Sequence, residues 1–326
     1  MSRAIVGDIG GTKTRLAMVE VAGTRVDIER EIVYPSRNFA AFEDLLADFL
    51  TGAQVPAHAA FGIAGPVLGR AVRTTNLPWC IDADVLQQRF GFRVCSLLND
   101  LESIACGLPA LDAADFSSLQ QGDAEARGNA AIIAAGTGLG EAGLYWDGVR
   151  HHPYATEGGH ASFCPQNDLE IDLLRYLQRL YGHVSWERVV SGMGLVDLHE
   201  FLRAYRKSSV PKWLIDEMRA GDAAAAISRA ASAGSDDICI ETMDCFVQLY
   251  GAEAGNFALK TMSRGGMYVA GGIAPRILPM LQRGTFIEAF LGKGRMRHVL
   301  EAMPVRVVLN ERAALYGPAL RATRPE

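Results

Sequence analysis

The chain has 326 residues, of which 49% are hydrophobic and 21% are charged, and its formal net charge is −5. This length favours two domains, and the composition is that of a globular protein with a sizeable core. The acidic balance argues against a nucleic-acid or anionic-membrane partner, because no block of Lys and Arg offsets it.

The N-terminus and the cysteines indicate in which cell compartment we expect the protein. Asp8 breaks the first apolar run too early for a signal peptide, and no apolar stretch approaches the roughly 18 residues that a membrane span needs. None of the six cysteines forms a CxxC pair, which argues against a zinc site and favours reduced thiols. We therefore expect a cytoplasmic protein without a membrane partner.

The first third of the chain predicts an α/β domain. Three strands separated by short glycine-containing turns are expected at 4–9, 14–21 and 25–34, the pattern of an antiparallel meander. The elements that follow are a helix at 39–52, a strand at 57–67, a helix at 83–91, a strand at 92–100 and the start of a helix at 101–108. This alternation of helices and strands indicates an α/β architecture.

The rest of the chain repeats part of that pattern. At 129–148 an apolar strand runs into a Gly/Thr turn and a second apolar strand leaves it, which suggests an internal duplication. Residues 168–262 are mainly helical by period and composition. Residues 265–282 predict a strand, a glycine turn and a helix with Pro275 in its first turn. The last predicted elements are a strand at 305–310 and a helix at 311–322.

Two glycine turns have the composition of phosphate-binding loops. A tight turn without Cβ atoms can point successive backbone N–H groups at one anion. The turns consist of Gly10, Gly11 and Thr12 and of Gly136, Thr137, Gly138 and Gly140. Either turn alone could be an ordinary β-turn, but two that face each other would hold a polyphosphate from both sides. Asp8, beside the first turn, would then hold Mg²⁺ or its waters.

A formal dinucleotide motif overlaps the second turn. Gly138, Gly140 and Gly143 match G-x-G-x-x-G, but that fingerprint requires a helix directly after the turn, and here the sequence continues as a strand. The Walker signature of P-loop proteins is absent from the sequence as well. We therefore reject NAD or FAD binding.

Several polar residues are candidates for catalysis or ligand binding. Asn99 and Asp100 stand between a strand and a helix, where they could cap the helix, or Asp100 could act as a general base at the carboxyl end of the strand. Glu157 and His160 are separated by two glycines in a predicted loop, although His160 could equally be a structural histidine. Glu187 could equally be a solvated glutamate on a surface helix. No nucleophile with triad partners stands out.

Eight stretches together span almost the whole chain: DIGGTKTRLAMVE, GIAGPV, TNLPW, LLNDLESIACGL, AAGTGLGEAGL, EGGHASF, VSGMGL and VAGGIAPRI. In these stretches and in their order, the chain resembles the bacterial glucokinases of the sugar kinase, Hsp70 and actin superfamily. The resemblance implies an α/β, two-domain actin-like ATPase fold of the duplicated ribonuclease H-like type, with an interdomain cleft. The small domain would contain 1–110 and 304–326, and the large domain 111–303.

The resemblance also implies roles for individual residues. Asp100 matches the catalytic base. The residues that match sugar-binding positions are Asn99, Asp100, Glu157, His160 and Glu187. The residues that match nucleotide-binding positions are Asp8, Ile9, Gly10, Gly11, Thr12, Lys13, Gly136, Thr137, Gly138, Gly271 and Gly272. Asp8 would face Mg²⁺ through coordinated water, and no direct protein ligand to the metal is expected. Nothing is carried over to 205–240.

The implied function is ATP-dependent phosphorylation of D-glucose at the 6-hydroxyl, giving glucose 6-phosphate and ADP as the first step in glycolytic use of glucose. ATP and Mg²⁺ are the implied cofactors, and a homodimer is the implied assembly. The neighbouring repressor, open-reading-frame and kinase group carries a cysteine-rich zinc motif after the histidine, whereas only Cys164 stands there in this chain, so zinc is not expected. The alternatives are a kinase of mannose, an N-acetylhexosamine or a carboxylic acid, and a sugar-responsive regulator without turnover.

Overall fold

The structure is a computed structural model that describes residues 1–65, 67, 69–74 and 77–323. Residues 66 and 75–76, which belong to the GIAGPV and TNLPW stretches, lie outside the described residues, as do 68 and 324–326. Across the described part of the chain, no helix has the length and apolarity to cross a membrane.

The secondary structure alternates between strands and helices in the first third and is mainly helical between 168 and 262, as the sequence predicts. The strands are β1 (Ser2–Ile9), β2 (Lys13–Ala22), β3 (Arg25–Pro35), β4 (His58–Ile63), β5 (Ala71–Arg73), β6 (Cys80–Asp82), β7 (Val94–Asn99), β8 (Phe116–Gln120), β9 (Ala130–Ala135), β10 (Leu139–Trp146), β11 (His151–Thr156), β12 (Gly266–Ala270) and β13 (Val305–Val308). The α-helices are α1 (Phe42–Leu50), α2 (Ala83–Phe90), α3 (Asp100–Gly107), α4 (Asp168–Tyr181), α5 (Gly192–Tyr205), α6 (Lys212–Ala220), α7 (Ala223–Ser232), α8 (Asp237–Thr261), α9 (Leu278–Leu281), α10 (Thr285–Leu291), α11 (Arg297–Glu301) and α12 (Ala313–Thr323).

Internal contacts group the chain into two compact units. The first unit contains the described residues of 1–115, 152–155 and the stretch from Asn310 onward, and the second contains 116–151 and 156–309. The domain boundaries expected from the sequence, 1–110 with 304–326 and 111–303, stay a prediction.

The first unit is built on a five-stranded sheet of order β3-β2-β1-β4-β7. Strands β1 to β3 form the predicted antiparallel meander, and β4 and β7 run parallel to β1. Both faces of β1 are buried: Ile5 packs in a core with Phe42 and Phe61, while Val6 packs in a second core with Leu315 of α12. Strands covered on both faces read as continuous apolar runs, which explains the sequence of β1 and β4.

The second unit is built on β10, β9, β12, β13 and β8 of a six-stranded sheet of order β11-β10-β9-β12-β13-β8. Strands β9, β12 and β13 are parallel, and β10 returns antiparallel to β9. Helix α8 packs against β9, β12 and α10, and its Phe246 and Tyr250 are completely buried. The core of this unit therefore lies between the sheet and the helical segment.

One element prediction was wrong in detail. Pro275 does not begin a helix: the segment after β12 forms turns, with the N–H of Ile273 donating to the carbonyl of Ala135 (3.3 Å), and α9 begins only at Leu278. The strand expected at 305–310 forms over Val305–Val308 and belongs to the sheet of the second unit. It pairs with β12 and β8, because its alternate side chains Val305 and Val307 complete the core of the second unit.

Candidate active site

The first glycine turn joins β1 to β2 in the first unit. The N–H of Gly10 donates to the carbonyl of Lys13 (3.0 Å), and a Cβ at Gly10 would lie 2.9 Å from that oxygen, so the close approach favours glycine. Ser36 secures the turn through its N–H, which donates to the Thr12 carbonyl (3.0 Å), and its hydroxyl, which donates to the Gly10 carbonyl (2.8 Å). The N–H groups of Gly11 and Thr12 donate to no backbone group of the described residues and can therefore face a phosphate.

Asp8 lies one residue before the end of β1, opposite Arg15 of β2. Burial raises the pKa of Asp8, and the neighbouring Arg15 guanidinium opposes that rise. Ile9 follows it and is buried in the core, so it contributes backbone to the turn and no side chain. Mg²⁺ is usually held by one or two carboxylates, waters and substrate phosphates, so a single carboxylate beside a phosphate turn fits this ion.

Asn99 and Asp100 stand where β7 ends and α3 begins. The Asn99 side-chain oxygen accepts from the N–H groups of Leu101 (2.9 Å) and Glu102 (3.4 Å), and its amide donates to the Gly65 carbonyl (3.1 Å). Asp100 is the first residue of α3, and its Oδ1 also accepts from the Leu101 N–H (2.9 Å). The helix cap is therefore Asn99, and the half-buried Asp100 carboxylate follows it at the helix start.

Asp8 and Asn99 lie at the same edge of the first unit's sheet. Asp8 aligns with Gly62 of β4, and Asn99 aligns with Ile63, the next residue along β4. Because neighbouring strands are about 4.8 Å apart, the two backbones are separated by roughly 10 Å. The carboxyl ends of parallel strands are where α/β proteins bind their ligands, so this edge is a suitable place for phosphate and acceptor to meet.

The second glycine turn, Gly136–Gly138, joins β9 to β10 in the second unit, and a strand follows it as predicted. The N–H of Gly136 donates to the Gly138 carbonyl (2.8 Å), and the N–H of Gly192, at the start of α5, donates to the Gly136 carbonyl (2.8 Å). Thr137 at the tip is exposed. The turn is thus fixed through its carbonyl groups, as the first turn is.

Glu187 contacts this second turn directly. It lies on a short 3₁₀ helix, Trp186–Arg188, and its Oε2 accepts from the N–H of Leu139 (3.0 Å). A Cβ at Gly138 would overlap the same carboxylate. Glu187 is half-buried, so the alternative of a solvated surface glutamate is wrong.

Glu157 and His160 bracket a 3₁₀ helix, Gly158–His160, that packs on β10. Oε2 of Glu157 lies 4.0 Å from Nε2 of His160, and both side chains are more than 60% exposed. A Cβ at Gly159 would overlap the carbonyl of Leu139, so this turn approaches the end of the second glycine turn closely. The exposed ring makes His160 unlike a buried structural histidine.

The segment that carries Glu157 and His160 is tied to the segment that carries Glu187. The N–H of Phe163 donates to the Val184 carbonyl (3.0 Å), and the N–H of Trp186 donates to the Ala161 carbonyl (3.0 Å). The backbones of 162 and 185 also form a β-bridge. The second unit therefore carries three of the predicted sugar-binding residues on two paired segments.

A pocket of about 980 Å³ adjoins the second turn within the second unit. Its lining includes the predicted residues Gly136, Thr137 and Gly272. Gly271 lies next to it with φ +85°, and a Cβ there would lie 2.5 Å from the Ala135 carbonyl, so it shapes the turn that follows β12. The volume suits a drug-sized ligand such as a nucleoside.

Part of the pocket wall comes from 205–240, the region for which we predicted no role. Helix α7 and its cap contribute Asp222, Ala223, Ala224, Ala225, Ser228, Arg229 and Ser232. Arg276, after β12, and Met193, in α5, were missed as well. From the sequence we predicted only that this alanine-rich segment forms a helix. Alanine side chains have no polar groups that would indicate a binding surface.

A sequence model described as Glucokinase matches residues 5–325. The chain belongs to the glucokinase family. A glucokinase of Trichormus variabilis is 41% identical over 99% of this chain and 100% of that protein. The crystal structure of a glucokinase from an Antarctic psychrotroph covers 99% of both chains with a TM-score of 0.87 and 30% identity.

A ROK family glucokinase from Streptomyces griseus was solved in complex with glucose and AMPPNP. It matches 98% of this chain and 99% of its own chain, with a TM-score of 0.65. The two sequences are 22% identical, so the likeness is one of fold. Membership of the glucokinase family confirms the expected fold class, a two-sheet α/β structure of the actin-like ATPase type. It also confirms the expected activity: the chain is an enzyme that phosphorylates glucose with ATP.

Proposed function

We propose that Asp100 is the general base in transfer of the γ-phosphoryl group of ATP to the 6-hydroxyl of glucose. The observation that carries this assignment is the position of Asp100 at the first residue of α3, beside the capping Asn99 and at the sheet edge that also carries Asp8. A carboxylate there interacts favourably with the positive end of the helix dipole.

We assign recognition of the sugar to Asn99, Asp100, Glu157, His160 and Glu187. Sugar hydroxyls both donate and accept hydrogen bonds, so carboxylates, an amide and an imidazole are suitable partners. Such a site rejects an analogue that lacks a hydroxyl, because a polar group of the protein then loses its partner.

The protein has little covalent chemistry to perform in the phosphoryl transfer. Asp100 takes the proton of the 6-hydroxyl as its oxygen attacks the γ-phosphorus, the bond between the γ-phosphorus and the bridging oxygen breaks, and ADP leaves. A positioned base of this kind contributes roughly 10²- to 10⁴-fold. Positioning of the phosphates by backbone donors supplies much of the rest.

We assign the phosphates of ATP to the two glycine turns and its nucleoside to the pocket beside α7. The support is the pair of N–H groups at Gly11 and Thr12 and the pocket that adjoins Gly136. Mg²⁺, when bound, neutralises phosphate charge, and Asp8 would hold it through coordinated water. Lys13 is exposed beside the first turn and adds positive charge there.

The product formed from glucose and Mg·ATP tests the assignment of the acceptor oxygen. Phosphorus NMR should show glucose 6-phosphate and ADP in equal amounts, and 6-deoxyglucose should inhibit without being phosphorylated. Comparison of kcat/KM for glucose, mannose and N-acetylglucosamine should favour glucose. Preference for another hexose would support the alternative kinase, and glucose binding without ADP release would support a regulator.

We also propose a cytoplasmic homodimer, supported by the resemblance to bacterial glucokinases. Sedimentation velocity at micromolar concentration should give twice the mass of the chain, and a monomer at all concentrations would contradict the proposal.

A further inference from the structure

Two buried glutamates lie in the second unit outside the residues assigned to glucose and ATP. Glu141 on β10 is 2% exposed, and Glu253 on α8 is completely buried. Among the described residues, no hydrogen-bond donor reaches either carboxyl oxygen of Glu141 or the Oε1 of Glu253. Burial of carboxylates without donors is costly, so this pair requires an explanation.

The groups around the pair favour Glu253 as the ionised member. The Asn256 amide donates to Oε2 of Glu253 (2.8 Å), and the ammonium of Lys260 lies 3.7 Å from its Oε1. Glu141 has no comparable partner. The carboxyls of Glu141 and Glu253 lie within hydrogen-bonding reach of each other, so one proton held between them would join an oxygen of each in a hydrogen bond.

Glu141 also supports the turn that carries Glu157 and His160. A Cβ at Gly158 would overlap Oε2 of Glu141. The hydroxyl of Thr156 donates to the Glu141 carbonyl (2.9 Å) and accepts from the N–H of Gly158 (3.2 Å). A movement of the Glu141 side chain therefore displaces Gly158, which lies between the two assigned sugar-binding residues.

We propose that Glu141 and Glu253 share one proton, and that this hydrogen-bonded pair positions the Glu157–His160 turn for glucose. Glu141 is a positioning residue in this scheme, since it contacts the turn and not the reacting atoms. The inference rests on the proposed role of Glu157 and His160 in sugar binding.

The electrostatics agree with a shared proton. Burial, and then the charge of Glu253, raise the pKa of Glu141 to about 8, while Lys260 opposes the rise. Burial also raises the pKa of Glu253. The titratable groups that act on the pair are Tyr250 and Lys260 from α8 and Lys293 from the segment after α10.

Loss of the shared proton should weaken glucose binding at alkaline pH. Below pH 8 one carboxyl is protonated and the pair is hydrogen-bonded, whereas above it both are ionised and repel each other beneath Gly158. If binding requires the protonated pair, KM for glucose rises roughly tenfold between pH 7 and pH 9, because each pH unit above the pKa weakens binding about tenfold.

The pH dependence of KM in three enzymes tests the proposal. Glu141→Gln replaces the protonated carboxyl by an amide that donates at every pH, so its KM should change less than twofold between pH 7 and pH 9. Glu170→Gln is the control, since Glu170 is also buried but already accepts hydrogen bonds, and it should keep the wild-type rise. A tenfold rise retained in Glu141→Gln, or no rise in the wild type, would overturn the proposal. Glu253→Gln is the second variant if Glu141→Gln does not fold.

Two further measurements separate this inference from the proposed function. The infrared difference spectrum of wild type minus Glu141→Gln, taken without ligands, should contain the carbonyl band of a protonated carboxyl at pH 7, and absence of the band rejects the shared proton whatever the enzyme phosphorylates.

Lys260→Met removes the positive charge near Glu253 and should move the rise in KM to higher pH. A shift to lower pH would contradict the scheme. Failure of the proposed function would instead appear as no glucose 6-phosphate in any variant, with the band still present.

Discussion

At the scale of single residues, the carboxylate of Glu187 connects the residues that we assign to the sugar with the second glycine turn. Glu187 accepts from the N–H of Leu139, the residue directly after the second glycine turn. It can do so only because Gly138 leaves room for the carboxylate. One oxygen is thus committed to the loop, and Oε1 is the atom that we assign to a glucose hydroxyl.

Two substitutions at Glu187 should separate these roles. Glu187→Gln keeps an oxygen for the Leu139 N–H but loses the charge, so KM for glucose should rise about 10- to 100-fold while KM for ATP changes little, since hydrogen bonds to charged groups contribute roughly 1.5–3 kcal/mol. Glu187→Ala removes both contacts and should raise both constants. Steady-state kinetics with each substrate varied in turn measures this difference.

Glu200→Gln is the matched control because Glu200 is exposed on α5, and it should leave both constants unchanged. Equal effects of Glu187→Gln and Glu187→Ala on both substrates would contradict the division of roles.

At the scale of secondary-structure elements, each unit contains a helix crossing that depends on glycine. In the first unit a Cβ at Gly317 of α12 would overlap the Ser103 carbonyl of α3. In the second unit a Cβ at Gly251 of α8 would overlap the Phe286 carbonyl of α10. The first crossing fixes α3, and Asp100 is the first residue of that helix.

Gly317→Ala should therefore lower both stability and turnover. The added methyl group forces α3 and α12 apart, and overpacking of this kind costs about 1–3 kcal/mol. Chemical denaturation should show that loss, and kcat should fall because Asp100 moves with α3. Glu288→Ala, on the exposed face of α10, is the control and should stay within about 0.5 kcal/mol of the wild type. Wild-type stability and kcat in Gly317→Ala would show that the crossing does not position Asp100.

At the scale of the whole molecule, the chain returns to the first unit at its C-terminal end. Helix α12 packs against α3, β1 and β4, and it buries Leu315, Ala319 and Leu320 in the core of that unit. The first unit is therefore incomplete until the last part of the chain is present.

Removal of the chain after Leu309 should unfold the first unit. Each buried leucine contributes about 1.5–3 kcal/mol, a large share of the roughly 5–15 kcal/mol that stabilises a typical protein. Hydrogen exchange should become fast in β1 and β4 and stay slow in β9 and β12. Arg321→Ala, at an exposed position of α12, should keep the wild-type pattern. Slow exchange in β1 after truncation would contradict this account of the core.

Sequence patterns predicted the parts of the site that depend on local rules. Strands followed by glycine residues predicted the two glycine turns, and the polar residues after β7 predicted the helix start at Asn99 and Asp100, because strand ends and helix caps have short-range signals. The pairing of 161–163 with 184–186 has no such signal, since it joins segments about twenty residues apart. The wall formed by α7 and the burial of Glu141 depend on tertiary packing, so neither could be predicted from the sequence.

The assignment of Asp100 as the general base is tested most directly by measuring two quantities for Asp100→Asn, its kcat and its dissociation constant for glucose. Asparagine keeps the shape of the side chain and can still accept from the Leu101 N–H, but it cannot take the proton of the 6-hydroxyl. We predict that kcat falls about 10²- to 10⁴-fold while the dissociation constant for glucose, measured by calorimetry, changes only a few-fold. A kcat within threefold of the wild type would show that Asp100 is not the base.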